Sequence, residues 1–169
     1  MQKVAIFGNT GAGKSTLSRY LAQKTGLPLV TLDLIEYSPG GAPVPHEEYL
    51  SAHAGVLEQD TWIIDGFGSV PSAWQRFEAA DTLVYLDLPL AVHAWWVTKR
   101  FFKGLLRTPE GWPEGSPMWK STVRSYRTIW LCHQKLTPRY RKAVDEYKTK
   151  KTVFHLRSPG DIRRFMELV

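Results

Sequence analysis

Five short apolar runs punctuate the chain, Val4–Phe7, Leu29–Leu32, Trp62–Ile64, Thr82–Leu86 and Thr152–Leu156, each bounded by turn-forming or charged residues. Runs of this kind read as strands buried on both faces, the pattern of a parallel sheet. Between them lie helix-like segments at Lys14–Lys24, about His46–Gln59, Ala73–Ala79, Leu90–Lys103, about Trp119–Lys135, Pro138–Lys148 and Pro159–Leu168. The alternation predicts an open α/β sheet whose ligands gather at the carboxyl ends of the strands. With 169 residues there is room for one well-buried core, so a single domain over 1–169 is expected. Two Gly/Pro-rich stretches, Ser38–Pro45 and Thr108–Pro117, interrupt the alternation and fit either lids over a site or plain surface loops.

The sharpest motif follows the first apolar run directly. Gly8-Asn9-Thr10-Gly11-Ala12-Gly13-Lys14-Ser15 has the spacing of a phosphate-binding loop between a strand and a helix, and Thr16 continues it. Its glycines let several backbone N–H groups turn inward, and the helix that follows aims its positive end at the bound phosphates. Lys14 reaches the β- and γ-phosphates as a point charge, and the Ser15 hydroxyl is placed to ligate Mg²⁺. A nucleoside triphosphate is the expected ligand.

Composition narrows the setting. No apolar run approaches the length of a membrane span, and the chain enters its first strand with no charged and apolar leader. The single Cys132 has no internal disulfide partner, which fits a reducing cytoplasm, and the five histidines show no metal-ligand spacing. A cytoplasmic protein with no membrane partner, monomeric or homodimeric, is expected. The net charge of +6 is unevenly spread: residues 25–75 hold Asp33, Glu36, Glu47, Glu48, Glu58, Asp60 and Asp65 and no Lys or Arg. The basic remainder fits solvated helix surface or a footprint for a nucleic-acid backbone.

Three carboxylates end strand-like runs. Asp65, after Trp62-Ile63-Ile64, is placed to hold Mg²⁺ through water. Asp87 competes for that role but precedes Leu88-Pro89, where capping the next helix is sufficient. Asp33 ends the second strand and can accept a proton from a hydroxyl attacking the γ-phosphate, with Glu36 as the fallback. Arg100, Arg107, Arg124 and Arg127 surround the second Gly/Pro-rich stretch, and Arg124 and Arg127 share a helix face suited to gripping a polyphosphate. Trp112, Trp119 and Phe67 are aromatics in or beside loops, which either stack on a ring or pack the loop down.

The ordered set of the phosphate loop, Thr31-Leu32-Asp33, Trp62–Phe67, Asp81–Pro89 and Lys99-Arg100 resembles the adenylate-kinase-like P-loop kinases. It is most similar to the small members labelled DNA topology modulation proteins, over roughly residues 3–103. The resemblance implies a P-loop NTPase three-layer fold, with a parallel five-stranded sheet in the order 2-3-1-4-5 and helices on both faces. It further implies a Mg²⁺–ATP site, an acceptor-side insertion at about 34–60, and a short arginine-bearing lid at about 101–122. It places Leu156-Arg157-Ser158-Pro159 near the adenine, which makes Arg157 a nucleotide-binding candidate.

One departure bears on the substrate. The resembled nucleoside monophosphate kinases carry an acceptor-binding arginine after Asp-Gly-Phe-Pro, where this chain reads Asp65-Gly66-Phe67-Gly68-Ser69. The acceptor side is then acidic, a poor host for a second phosphate dianion and a better one for a hydroxyl compound or amine. The leading expectation is a Mg²⁺–ATP-dependent phosphotransferase acting on a small molecule. The alternatives are a nucleoside monophosphate kinase and an ATP-binding protein acting on nucleic acid, as a polynucleotide kinase or a DNA topology modulator. A GTP switch needs a guanine-selecting Asn-Lys-x-Asp, which the chain lacks.

Overall fold

The computed structural model describes residues 1–38, 42–106 and 118–169, with backbone only at 100, 101, 103–106 and 118–124. Five parallel strands form one sheet: β1 (Lys3–Gly8), β2 (Leu29–Thr31), β3 (Trp62–Asp65), β4 (Thr82–Leu86) and β5 (Thr152–Leu156). Their order is β2-β3-β1-β4-β5, as the resemblance implied. Among the described residues, helices α1 (Lys14–Thr25), α2 (Asp33–Glu36), α3 (His46–Glu58), α4 (Val70–Ala79), α5 (Leu90–Leu106), α6 (Met118–Lys135), α7 (Thr137–Tyr147) and α8 (Pro159–Leu168) connect and cover them.

The strands read as unbroken apolar runs because both faces of the sheet are covered. Along β1, Ala5 and Phe7 point to one core with Trp62, Ile64, Phe77, Leu83 and Tyr85. Val4 and Ile6 point to the other, with Ile63, Val84, Leu86, Leu17, Leu21 and Phe165. Helices α4 and α7 close the first core through Phe77, Tyr140 and Val144, and α1 and α8 close the second. Phe7 stacks on Tyr85 with ring centroids 4.9 Å apart, and Tyr140 meets both rings edge-on.

Register brings the polar ends of the strands together. Ile6 pairs with Asp65, Gly8 with Leu86, Thr31 with Asp65 and Leu86 with Leu156. One local expectation changes: Asp33 does not end the second strand, which stops at Thr31, but is the first residue of the four-residue α2. The Leu32 amide donates to the Asp65 carbonyl at 2.8 Å, so Asp33 emerges directly beside the end of β3. No described helix is long and apolar enough to cross a membrane.

Candidate nucleotide and phosphoryl-transfer site

The loop 9–13 joins β1 to α1 at the carboxyl edge of the sheet. Gly8 has φ of 145°, and a Cβ there would lie 2.5 Å from the Leu86 carbonyl oxygen, so only glycine lets β1 turn out beside β4. Helices α4 and α8 are capped by the side chains of Ser69 and Ser158, whereas α1 has Gly13 at its N-cap, no side-chain cap and no acidic residue in its first turn. The amino end of α1 therefore keeps its positive potential for an anion. Ser15 and Thr16 are exposed there, and Lys14 lies half-buried with Nζ donating to the Asn9 carbonyl at 3.0 Å.

Two carboxylates face this lysine. Burial lowers the Lys14 ammonium below its ordinary value, opposed by the charges of Asp65 and then Asp33. Asp33 is raised, first by burial and then by the Asp65 charge, with Lys14 opposing. Glu36 is raised by burial and by Asp33. The sequence candidates Lys14, Asp33 and Asp65 thus form one electrostatic group.

Asp65 is 2% exposed; its Oδ2 accepts a long hydrogen bond from Ser18 Oγ at 3.4 Å, and its Oδ1 has no partner among the described residues. A buried carboxylate oxygen left unpaired is costly, and a hydrated cation beside it removes that cost. These residues fit Mg²⁺ held by Asp65 and the Ser15 hydroxyl. No group of three His, Cys, Asp or Glu among the described residues could hold a metal alone, so phosphate oxygens and water complete such a site. Ser18, which orients Asp65 from one turn into α1, was not anticipated; its spacing from Ser15 was the available signal.

Among the described residues, Asp87 makes no capping bond to α5. It is held by Arg141, with Nε at 2.7 Å and Nη2 at 3.0 Å, and by His155 Nε2 at 2.9 Å. Burial would raise this carboxyl, but the hydrogen bonds from Arg141 and His155 together outweigh it and hold it below its ordinary value. His155 is thus neither a surface nor a plain packing residue. Arg157 continues the chain of contacts, with Nη2 3.4 Å from His155 Nδ1.

An apolar cavity of about 260 Å³ adjoins the loop, lined by Gly13, Thr16 and Leu17, by Trp96 of α5 and by Ile162 and Met166 of α8. A Cβ at Gly13 would lie 3.0 Å from the Trp96 ring, so the indole rests directly on the loop. Arg157 does not line this cavity, although the helix that follows it does. Trp96 went unrecognised because seven tryptophans made packing the default reading of each.

The remaining candidates divide. Arg127 is exposed on α6. Arg100 and Arg124 lie on α5 and α6 with side chains outside the described residues, as do Trp119 of α6 and, wholly, Arg107 and Trp112. Arg76, one position beyond the stretch without basic residues, is 2% exposed and turned inward, donating to the Phe67 carbonyl at 2.9 Å and to Ser72 Oγ at 3.3 Å. It braces the turn after Asp65, so the charges opposing the acidic mouth are those of Lys14 on Asp33 and His46 on Glu36.

Comparison with known proteins agrees with this geometry at the level of fold. A shikimate kinase from Acinetobacter baumannii, in complex with shikimate, superposes with a TM-score of 0.65 at 14% identity, over 99% of this chain and 90% of that one. A sugar kinase from Janibacter sp. covers 99% of this chain and 93% of its own at 20% identity, and its TM-score of 0.49 adds nothing to the fold assignment. The family model for isopentenyl transferase matches residues 1–50, the stretch holding the loop and Asp33. No curated protein matches. The strand order, the loop and the shikimate kinase superposition define a P-loop NTPase fold.

Proposed function

We propose that this chain is a kinase that transfers the γ-phosphoryl group of ATP to a hydroxyl of a small molecule. The observation that carries the reading is the position of Asp33: the Leu32–Asp65 backbone bond sets it beside the buried carboxylate of β3, within electrostatic reach of Lys14. In such a site the acceptor oxygen attacks the γ-phosphorus, Asp33 takes the hydroxyl proton, and the β–γ bridging oxygen leaves with its electron pair as ADP. Lys14 and the open end of α1 hold the polyphosphate, and Ser15 and Asp65 hold Mg²⁺, which supplies charge neutralisation on the phosphate oxygens. The cavity under Trp96 offers an apolar face to the adenine.

The acceptor side supports a substrate without a phosphate of its own. Asp33 and Glu36 crowd one mouth, and Arg76, the first basic residue after the stretch 25–75, is spent on Phe67 and Ser72. The shikimate kinase of the same fold, solved with shikimate bound, gives a parallel for a small-molecule acceptor. ³¹P NMR of Mg²⁺–ATP with the protein and panels of nucleosides, nucleoside monophosphates, sugars and short oligonucleotides tests this. Transfer to a hydroxyl compound, abolished in Lys14→Ala, is the expected result. Transfer confined to monophosphates rejects the acidic-mouth argument.

A further inference from the structure

Asn9 is the residue of the phosphate loop with contacts in two directions. Its Oδ1 accepts from the Thr10 amide at 2.7 Å, which fixes the loop from within. Its Nδ2 donates to the Ile129 carbonyl at 2.9 Å, a buried bond reaching across 120 positions to the interior of α6. The Asn9 carbonyl is also the acceptor on which Lys14 Nζ rests, at 3.0 Å. One residue thus touches the phosphate-seeking lysine, the loop backbone and a distant helix.

The helix end of this link is equally well placed. Ser125, Ile129 and Cys132 recur at the spacing of one helix face, and Ser125 and Ile129 are buried while Cys132 is partly so. Cys132 lies close enough to Lys14 for the ammonium to lower its thiol, against a larger rise from burial. From the neighbouring helix α5, Val97 stands 2.8 Å from where a Cβ on Gly11 would be, and Ile129 Cδ1 stands 3.9 Å from the same point. Helices α5 and α6 therefore form a roof seated on the loop. The Asn9–Ile129 bond joins that roof to the loop by a side-chain hydrogen bond, and the buried His93 of α5 adds a bond to the Gly11 backbone; both are directional where apolar contacts are not.

We propose that Asn9 is a positioning residue that couples the phosphate loop to α6, so that occupation of the loop by a polyphosphate is transmitted to that helix. When Lys14 leaves the Asn9 carbonyl for a phosphate, the loop residue that held it is the one hydrogen-bonded to α6. The inference rests on the reading of this loop as a polyphosphate site, and it goes beyond that reading by assigning the asparagine side chain a part in the reaction that is distinct from binding the donor.

The test is amide hydrogen exchange followed by mass spectrometry, with Mg²⁺–ATP and separately with Mg²⁺–tripolyphosphate as probes. In the wild-type protein, either probe is expected to slow exchange in peptides spanning residues 125–135. In Asn9→Ala, with each probe at a concentration that calorimetry shows to be saturating, the slowing in 125–135 is lost. The turnover number at saturating ATP falls about tenfold, the size of effect one hydrogen bond supports. If Asn9→Ala does not fold, Asn9→Ser replaces it with the same criteria. Slowing retained in the variant, or absent in the wild-type protein with probe bound, overturns the proposal. If α6 responds to tripolyphosphate but no acceptor is phosphorylated, the kinase reading fails and the coupling stands.

Discussion

Arg141 grips Asp87 with two nitrogens, Nε on Oδ2 at 2.7 Å and Nη2 on Oδ1 at 3.0 Å, so the carboxylate that ends β4 is already neutralised before any ligand arrives. The carboxylate that ends β3, Asp65, has no such partner for its Oδ1 among the described residues. Two aspartates with the same sequence setting therefore have different chemistry.

Substitution separates them. Asp65→Asn is expected to cut Mg²⁺-dependent turnover by about 10²-fold or more and to raise the Mg²⁺ concentration needed for half-maximal rate. Asp87→Asn leaves the Mg²⁺ requirement unchanged and costs about 1–3 kcal/mol of stability, part of the pair's Coulomb energy being screened because the Arg141 side chain is 53% exposed. A Mg²⁺ titration of turnover paired with urea unfolding reads both. Equal loss of metal dependence in the two variants would contradict the assignment.

Asp33 is expected to control the acid limb of the rate profile. Its carboxyl is raised by burial and by Asp65, and a base works only when deprotonated, so turnover falls on acidification at a pH above that of an ordinary aspartate. Asp33→Asn should lower phosphoryl transfer by about 10²–10⁴ and remove that limb. A variant that keeps the limb unchanged shows that another group titrates.

Trp96 should distinguish base from phosphate. Trp96→Ala opens the cavity beside Gly13, and KM for ATP is expected to rise about tenfold while tripolyphosphate binding changes little. Competition assays with adenosine and with tripolyphosphate give the comparison. Equal weakening of both ligands points to collapse of the loop rather than loss of a stacking face.

His53 makes a prediction about stability alone. It is fully buried on α3, neither ring nitrogen has a partner among the described residues, and burial followed by the Arg76 charge lowers its pKa from 6.5 to about 4. The unfolded chain then binds the proton more readily than the folded one between those values. Its contribution is complete above about pH 6.5 and is lost as pH falls toward 4, amounting to roughly 1–3 kcal/mol. His53→Leu should flatten the urea midpoint across that window without lowering it at pH 7, since an apolar side chain leaves no nitrogen unpaired. A slope unchanged in the variant assigns the acid sensitivity elsewhere.

Most of the fold was legible because the sheet is parallel and covered on both sides, which writes each strand as a short apolar run. The loop was legible because its chemistry is carried by contiguous residues. What escaped the sequence was contact at a distance: Arg141 and His155 on Asp87, Ser18 on Asp65, and Trp96 on Gly13. Arg76 shows the limit of counting charges along a chain, since what matters is that it points inward to Phe67. The short α2 was missed because Asp33-Leu34-Ile35-Glu36 is less than two turns long and has no side-chain cap to announce it.

The strand order gives these charges a direction. Read along β2-β3-β1-β4-β5, the carboxyl edge of the sheet begins with Glu36, Asp33 and the half-satisfied Asp65 and ends with the neutralised Asp87 flanked by Arg141 and Arg157. Lys14 stands between them, at the central strand. The edge is thus a polarised ramp, negative at one end and positive at the other, and two molecules of unlike charge approaching together are sorted before either makes contact. Under the proposed kinase reading, an anionic triphosphate would be drawn to the β4–β5 end and a neutral or cationic acceptor left the β2–β3 end, so the reactants would meet head to head.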